Sequence, residues 1–207
     1  AVDFVATEKK AAAFFNESAS SLFIIPGFIA ADKNNVTTTL GRGGSDYTAA
    51  ILAAAVNASV LEIWTDVSGM MNADPRLVNN IKHIPQISYQ EAMELSHFGA
   101  KVIYPPTIQP VMKKGIPVWI KNTFAPEEMG TVIKNEATST GTRIQGISSM
   151  NNIVLLSLEG SGMVGIPGFS KRLFEALANA SINVILITQG SSEHSICVGV
   201  DEYASAK

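Results

Sequence analysis

A glycine-rich stretch followed by an alanine-rich segment is the part of the sequence best suited to bind an anion. Residues 37–46 read TTTLGRGGSD. Glycines let backbone N–H groups turn toward a ligand, and a helix N-terminus adds unpaired N–H donors and the positive end of a dipole. Arg42 adds a planar guanidinium that suits a carboxylate or a phosphate. A P-loop is excluded because no Gly-Lys-Ser/Thr sequence follows, which leaves an anion-binding loop or an ordinary turn in which Ser45 caps a helix.

Three further segments place polar residues where an α/β protein binds its ligands. Thr65 and Asp66 end a predicted strand, and ligands of α/β sheets bind at the carboxyl ends of strands. Arg76 offers a second guanidinium, and Lys101 follows the end of a predicted helix. Each of these residues by itself also fits a turn or an exposed surface position, so single residues leave the function open.

The hydrophobic pattern predicts helices and strands in alternation around these segments. Helices are predicted where apolar residues recur at helical spacing or where a capping box or a glycine marks an end, and strands where short apolar runs meet turn residues. The predicted helices are 1–16, 46–58, 88–99 and 107–114, and the predicted strands are 22–25, 60–65 and 117–121. Residues 135–150 begin with a polar run and are predicted to be a linker.

The order of elements changes after the linker to β-α-β-β. Strands are predicted at 153–158, 183–188 and 195–200, with a helix from Pro167, at its first position, to about residue 180. A Gly-x-Gly-x-x-Gly sequence at 160–165 resembles a dinucleotide-binding motif, but the next strand ends without an acidic residue and leads directly to another strand, which argues against that function. The expected fold class is α/β, with a parallel-rich sheet flanked by helices and then a partial ferredoxin-like βαββ unit.

Composition excludes several classes of protein. With 15 basic and 18 acidic residues the net charge is -3, so nothing points to nucleic acid as a partner. The longest strictly apolar run, 49–56, is too short to span a bilayer. One cysteine and three scattered histidines argue against a disulfide framework and against a cysteine or histidine metal site. We therefore expect a cytoplasmic protein with no membrane partner and no resident metal.

Taken together and in order, four motifs resemble the aspartate kinase family. They are TTTLGRGGSD at 37–46, WTDV at 64–67, DPR at 74–76 and FGAKV at 98–102. The resemblance implies that residues 1–134 are the C-terminal part of an amino-acid-kinase domain. It implies that residues 151–207 are part of an ACT regulatory domain. The segment ITQGSSEHSI at 187–196 is most similar to the first ACT domain of bifunctional aspartokinase–homoserine dehydrogenases.

The resemblance also implies a reaction and a set of site residues. The reaction is transfer of the γ-phosphoryl group of ATP, with Mg²⁺, to the side-chain carboxylate of L-aspartate, the first step toward lysine, threonine and methionine. Asp46 is the implied catalytic residue, which organises the loop. The implied substrate-binding residues are Arg42, Gly43, Gly44 and Ser45. The implied nucleotide-binding residues are Thr65, Asp66, Met71, Arg76, Lys101 and Val102, with Met71 standing where many members have a tyrosine.

The ACT resemblance implies feedback regulation by an amino acid. Threonine is the favoured effector and lysine the next. The implied effector-binding residues are Asn152, Ser161, Gly162, Met163, Val164, Gly165 and Gln189. The ACT unit lacks its final helix and strand, so we expect an exposed sheet edge that pairs with another chain, giving a homodimer or a higher homo-oligomer.

One departure from the family bears on activity. The Lys-Phe-Gly-Gly-Thr-Ser motif of the family's N-terminal part does not occur in these 207 residues, and that segment supplies a lysine beneath the transferred phosphoryl group. We therefore expect this polypeptide alone to be an incomplete and inactive piece of the enzyme. The alternative function is a non-catalytic module that binds an amino acid and dimerises.

Overall fold

A computed structural model describes residues 2–97, 102–136, 144–160, 162, 165–190 and 195–204. The chain divides into two compact units, residues 1–149 and 150–207. Among the described residues, the structure contains no helix of the length and apolar character that crossing a membrane requires.

The first unit is built from helices and short strands in the predicted alternation. Its helices are α1 (Phe4–Glu17), α2 (Gly44–Ala55), α3 (Tyr89–His97) and α4 (Pro105–Lys114). Its strands are β1 (Ile29–Ala31), β2 (Thr37–Thr39), β3 (Leu61–Thr65), β4 (Met70–Met71), β5 (His83–Ile84), β6 (Gln86–Ser88), β7 (Val118–Asn122) and β8 (Thr131–Lys134).

A mixed sheet with the order β3-β7-β8-β6 forms the centre of this unit. The β3/β7 and β6/β8 pairs are parallel, whereas β7 and β8 are antiparallel. Alternate residues of the strands, such as Ile63 and Ile120, are buried in one core with Ala50 of α2 and Val111 of α4. The two other ladders, β1/β2 and β4/β5, are antiparallel. The expected α/β class with a parallel-rich sheet is confirmed.

Local signals fixed the ends of two helices as predicted. The Ser88 N–H donates to Glu91 Oε2 at 2.9 Å, and the Glu91 N–H donates to Ser88 Oγ at 3.2 Å, which is the reciprocal capping box before α3. Gly115 ends α4 with φ 67°, and its N–H donates to the Met112 carbonyl at 3.1 Å. A left-handed residue at this place favours glycine because it has no Cβ.

The predictions between residues 22 and 45 are partly wrong. Residues 22–25 form no strand, and Leu22 and Ile24 are 77% and 93% exposed. An apolar run becomes a strand only where another strand satisfies its backbone groups, and no described strand pairs with this run. The strand β1 begins later, at Ile29, and pairs with β2. The three threonines that form β2 lie in the stretch that the sequence predicted to be a loop.

Part of the predicted linker lies against the first unit. Residues 144–149 belong to that unit, where the Ile147 N–H donates to the Asn72 carbonyl at 2.8 Å. A Cβ atom on Gly146 would lie 3.1 Å from a methyl of Leu95, so the backbone approaches the core closely there.

The second unit has the predicted β-α-β-β order. It consists of β9 (Ile153–Glu159), α5 (Phe169–Asn179), β10 (Val184–Gln189) and β11 (Ser195–Asp201), followed by a short 3-10 helix, Glu202–Ala204. The strands form an antiparallel sheet with the order β10-β11-β9. Ile196, Val198 and Val200 of β11 are buried with Leu177 of α5, whereas Leu155 of β9 is 61% exposed.

The start of α5 differs from the prediction. Pro167 was expected at the first helical position, but α5 begins at Phe169 after Gly168, whose φ is 99°. Because a helix requires negative φ, it cannot begin before this glycine.

Candidate functional site

The glycine-rich loop forms a tight turn that ends on the first turn of α2. The Gly44 N–H donates to the Gly41 carbonyl at 3.1 Å, and Gly41 and Gly43 have φ of 75° and 65°. Gly43 is the residue before the helix, and Ser45 lies inside its first turn. The alternative reading of Ser45 as the cap is therefore wrong, because the helix begins two residues earlier than predicted. The N–H groups at this helix end are the donors that an anion needs.

An open depression of about 610 Å³ surrounds this turn. Residues 41–46 line it together with Phe28. Arg42 is exposed, and its guanidinium makes no ion pair with any described residue. The structure thus brings together Arg42, Gly43, Gly44 and Ser45, with a free positive charge beside a helix N-terminus.

Two aromatic residues fit against the loop so closely that only glycine is accommodated. A Cβ atom on Gly44 would lie 2.6 Å from Phe28 Cδ2, and one on Gly43 would lie 2.8 Å from Tyr104 Cβ. Phe28 itself has φ 72°, and its N–H donates to Thr48 Oγ1 at 3.0 Å. Sequence reasoning missed both aromatic residues; the Pro-Gly turn before Phe28 was the one local signal.

Asp46, the implied catalytic residue, lies half-buried in the first turn of α2. Burial raises the pKa of its carboxyl group. Within the described part of the chain its carboxylate has neither a hydrogen bond nor an ion pair. A negative charge in the first helical turn is favourable, which offsets part of the cost of its burial.

Thr65 ends β3 and Asp66 follows it, at the carboxyl ends of the parallel strands β3 and β7, as predicted. Thr65 Oγ1 donates to Asp66 Oδ1 at 3.1 Å, and the Thr65 carbonyl accepts the Thr123 N–H at 2.8 Å. Asn122 at the end of β7 donates from Nδ2 to Ser68 Oγ at 2.9 Å. These bonds hold together the segments that leave the two neighbouring parallel strands.

Arg76 is held by Asp74 in the segment between β4 and β5. Nε lies 3.0 Å from Asp74 Oδ1 and Nη2 lies 2.7 Å from Oδ2, and the Arg76 N–H donates to Oδ1 at 2.9 Å. These hydrogen bonds lower the pKa of Asp74 to about 2 and raise the pKa of Arg76. The Arg76 side chain is 78% exposed, so the pair presents its guanidinium to solvent. Asp74 is therefore the residue that orients Arg76.

The other residues that the resemblance implies for nucleotide binding are less closely defined. Met71 ends β4 opposite His83, and Val102 is half-buried against the core. Lys101 lies outside the described residues. Hydrogen bonds of the described residues join Thr65 to Asp66 and Arg76 to Asp74, but none joins these two pairs.

The implied effector residues fall into two places in the second unit. Gly165 and Gln189 line one cavity of about 300 Å³, together with residues 166–170 and Ile196. Asn152 precedes β9, at the opposite end of that strand from the segment that holds Gly165, and its carbonyl accepts the Glu202 N–H at 2.9 Å. Gly162 is exposed, and Ser161, Met163 and Val164 lie outside the described residues.

Comparison with known families decides the class of protein. Residues 4–122 match the model of the amino acid kinase family. The chain belongs to the amino acid kinase family. Residues 156–207 match an ACT domain, which confirms the ACT domain that the resemblance implied.

The relatives of this amino acid kinase family member include aspartokinases. It is 46% identical over 194 residues to the bifunctional aspartokinase/homoserine dehydrogenase of Haemophilus influenzae, covering 93% of this chain and 24% of that protein. The crystal structure of Escherichia coli aspartokinase III with aspartate and ADP is 39% identical and superposes with a TM-score of 0.79, over 96% of this chain and 44% of that one. The same enzyme with lysine and aspartate gives a TM-score of 0.72 at 37% identity, over 97% and 45%. The resemblance to aspartate kinases is confirmed, and the chain spans less than half the length of these relatives.

Proposed function

We propose that this chain is part of an aspartate kinase that transfers the γ-phosphoryl group of ATP to the side-chain carboxylate of L-aspartate. In this proposal residues 1–134 belong to the kinase domain, 135–150 connect it to the regulatory part, and 151–207 belong to an ACT domain. The observation that carries the proposal is the glycine-rich turn at the N-terminus of α2 with the exposed Arg42 beside it. The E. coli aspartokinase solved with aspartate and ADP supports it.

The substrate loop acts by binding and orienting a carboxylate. Arg42 forms a charge-assisted pair with a carboxylate of aspartate, and Gly43, Gly44 and Ser45 surround the substrate. Gly43 and Ser45 contribute backbone N–H donors, whereas the Gly44 N–H closes the turn onto the Gly41 carbonyl. Asp46 is assigned by the resemblance to organising this loop from the first turn of α2. Because a carboxylate is already ionised at neutral pH, no strong base is needed, and catalysis depends on position and charge stabilisation. A carboxylate oxygen attacks the γ-phosphorus, the bond to the β–γ bridging oxygen breaks, and ADP leaves.

The residues after β3 and β4 suit a nucleotide. Thr65 and Asp66 offer a hydroxyl and a carboxylate at the carboxyl end of the sheet, with Met71 and Val102 as apolar neighbours. Arg76 keeps Nη1 free of hydrogen bonds to the described residues while Asp74 fixes the rest of its guanidinium, which fits a phosphate ligand. Lys101 supplies a second positive charge by resemblance.

Mg²⁺ fits this site as an ion that arrives with the nucleotide. The described residues contain no cluster of three or more His, Cys, Asp or Glu side chains placed to hold a metal ion. Mg²⁺ in kinases is bound through substrate phosphates and few carboxylates, and it neutralises phosphate charge during transfer.

The second unit is proposed to bind an effector amino acid. Its cavity between Gly165 and Gln189 offers backbone and amide groups of the kind that hold an amino acid. Threonine is favoured by the resemblance, and lysine is the next candidate, which the E. coli aspartokinase solved with lysine supports. The proposal places the effector between paired ACT units of a homodimer or higher homo-oligomer, in an enzyme of the cytoplasm. Effector binding then shifts the kinase between states of different substrate affinity.

An assay of ADP release by the complete protein that contains this chain tests the proposed function. With ATP and Mg²⁺ present, release is expected to depend on L-aspartate and to be absent with L-asparagine, whose amide is not a nucleophile for the phosphoryl group. Equal release with and without aspartate would contradict the proposal. Amino-acid binding without any ADP release would favour the non-catalytic module instead.

A further inference from the structure

Tyr104 lies against the glycine-rich loop from a distant part of the chain. A Cβ atom on Gly43 would lie 2.8 Å from Tyr104 Cβ and 3.1 and 3.2 Å from its Cδ1 and Cγ atoms. Tyr104 therefore occupies the space that a side chain at position 43 would need. Because Gly43 directly precedes α2, the contact is made where the loop becomes helix.

The backbone of Tyr104 is held firmly on both sides. Ile103 before it is 3% exposed and belongs to the core. The Tyr104 carbonyl accepts the Thr107 N–H at 2.8 Å and the Thr107 hydroxyl at 2.5 Å, and Thr107 is 1% exposed. Two prolines follow, and each fixes its own φ. Tyr104 is thus a rigid support and not a mobile surface residue.

The side chain of Tyr104 itself is not needed to fill the core. It is 39% exposed, unlike Ile103 and Thr107 beside it. The residue precedes α4, whose buried Ile108 and Val111 share one core with Ala50 of α2, so the beginnings of the two helices are fixed by the same packing. The partly exposed ring of Tyr104 is therefore available to support the glycine-rich loop that it contacts.

We propose that Tyr104 is a positioning residue for the aspartate-binding loop. Its side chain holds Gly43 in the left-handed conformation that starts α2, and so sets the place of Arg42 and of the first N–H groups of the helix. This inference rests on the proposed function of the loop. Because Tyr104 acts on the loop, its loss affects the use of aspartate more than the use of ATP.

The first test compares substitutions of Tyr104 in the complete protein. Tyr104→Ala is expected to raise the KM for aspartate about tenfold while the KM for ATP changes less than about twofold, because misplacing a binding group by a fraction of an ångström is costly. Tyr104→Phe keeps the ring and is expected to restore the aspartate KM to within about twofold. Tyr203→Ala, at a tyrosine that is 84% exposed, controls for the same substitution elsewhere. Equal rises in both KM values, or none, would overturn the proposal.

A double-mutant cycle tests the contact itself. Gly43→Ala combines a strained φ with close contacts to Tyr104, and Tyr104→Ala removes the contacts to Cγ and Cδ1 but keeps the one to Cβ. Tyr104→Ala is therefore expected to relieve part of the effect of Gly43→Ala, so that the two losses of aspartate affinity do not multiply. Gly41→Ala is the matched control, because Gly41 has a similar φ of 75° but nothing within 4 Å of its would-be Cβ. The loss of aspartate affinity caused by Gly41→Ala is expected to multiply with the loss caused by Tyr104→Ala. Multiplicative losses in both cycles would show that Tyr104 does not act through Gly43.

Two measurements keep this test separate from the test of the proposed function. If the unsubstituted protein does not phosphorylate aspartate, the proposed function is wrong; if it does and the Tyr104→Ala variant has unchanged KM values, only the inference about Tyr104 is wrong. Thermal unfolding shows whether each variant is folded. If Tyr104→Ala does not fold, Tyr104→Ser, which also removes the ring and suits the residue that caps α4, takes its place with the same expected split between aspartate and ATP.

Discussion

Asp74 and Arg76 form an ion pair through two contacts, Nε to Oδ1 at 3.0 Å and Nη2 to Oδ2 at 2.7 Å. The pair lies two residues apart in the segment that the motif assigns to nucleotide binding. Asp74 also accepts the Arg76 N–H, so one carboxylate fixes both the backbone and the side chain of Arg76. The arginine that is expected to meet phosphate is therefore oriented before the nucleotide arrives.

Asp74→Asn is expected to weaken nucleotide binding without affecting aspartate. The amide removes the charge that holds the guanidinium, so the KM for ATP is expected to rise about tenfold, as for the loss of one positioned charge-assisted contact. Steady-state kinetics with each substrate varied in turn measure the effect. A rise in the aspartate KM alone would show that Arg76 does not serve the nucleotide.

The same pair makes a prediction about pH. The pKa of Asp74 is lowered to about 2 from its ordinary 3.8, so the pair contributes stability above pH 3.8 that is lost as the pH falls toward 2. The difference in unfolding temperature between the protein and its Asp74→Asn variant is expected to be constant from pH 5 to 8 and to shrink below about pH 4. A difference that changes between pH 6 and 8 would mean that another group controls the pair.

Asp46 should behave in the opposite way. Burial raises the pKa of Asp46, so the folded protein is stabilised by protonation and loses stability as the pH rises through the folded pKa. Asp46→Asn is expected to raise the unfolding temperature at pH 7, with the gain vanishing below pH 3.8, where the carboxyl is neutral in both states. Aspartate-dependent activity is expected to fall in the same variant. A loss of stability at pH 7 would show that the Asp46 charge stabilises the start of α2.

The hydroxyl group of Tyr89 is expected to make the stability of the fold depend on pH under alkaline conditions. Its hydroxyl donates to the Ile116 carbonyl, joining α3 to the start of β7, and burial raises its pKa to about 12. The contribution of the Tyr89 hydroxyl to folding stability is therefore present below pH 10 and is lost as the pH rises toward 12. Tyr89→Phe leaves the Ile116 carbonyl unpaired and is expected to cost about 1–3 kcal/mol of unfolding free energy at pH 7. Denaturant unfolding measures this, and an unchanged midpoint would exclude the hydrogen bond.

Gln189 is expected to contribute to effector binding. It lines the cavity that also contains Gly165, so Gln189→Ala should raise the Kd of the effector about tenfold, the effect of one lost polar contact. Calorimetric titration of the complete protein with threonine and with lysine measures this, and Gln109→Ala, at an exposed glutamine, is the control. Unchanged Kd values would place the effector elsewhere.

The features that the sequence predicted correctly depend on neighbouring residues. The capping box of Ser88 and Glu91, the end of α4 at Gly115 and the turn at Gly41–Gly44 are formed by residues within a few positions of one another. The contacts of Phe28 and Tyr104 with the loop were not predictable, because they join residues 16 and 61 positions apart through packing. The strand predicted at residues 22–25 was wrong for the same reason. Strand formation there depends on a pairing partner and not on the apolar pattern of the segment itself.

Formation of an acyl phosphate tests the central claim most directly. The complete protein is incubated with L-aspartate, ATP and Mg²⁺ in the presence of hydroxylamine, which converts an acyl phosphate to a hydroxamate. We expect aspartate hydroxamate to form in proportion to ADP. Replacing Arg42 by alanine should lower its rate at limiting aspartate about a hundredfold, the scale for losing a charged contact to a substrate carboxylate. ADP release without hydroxamate, or an Arg42→Ala variant with an unchanged rate, would contradict the assignment of this loop to aspartate.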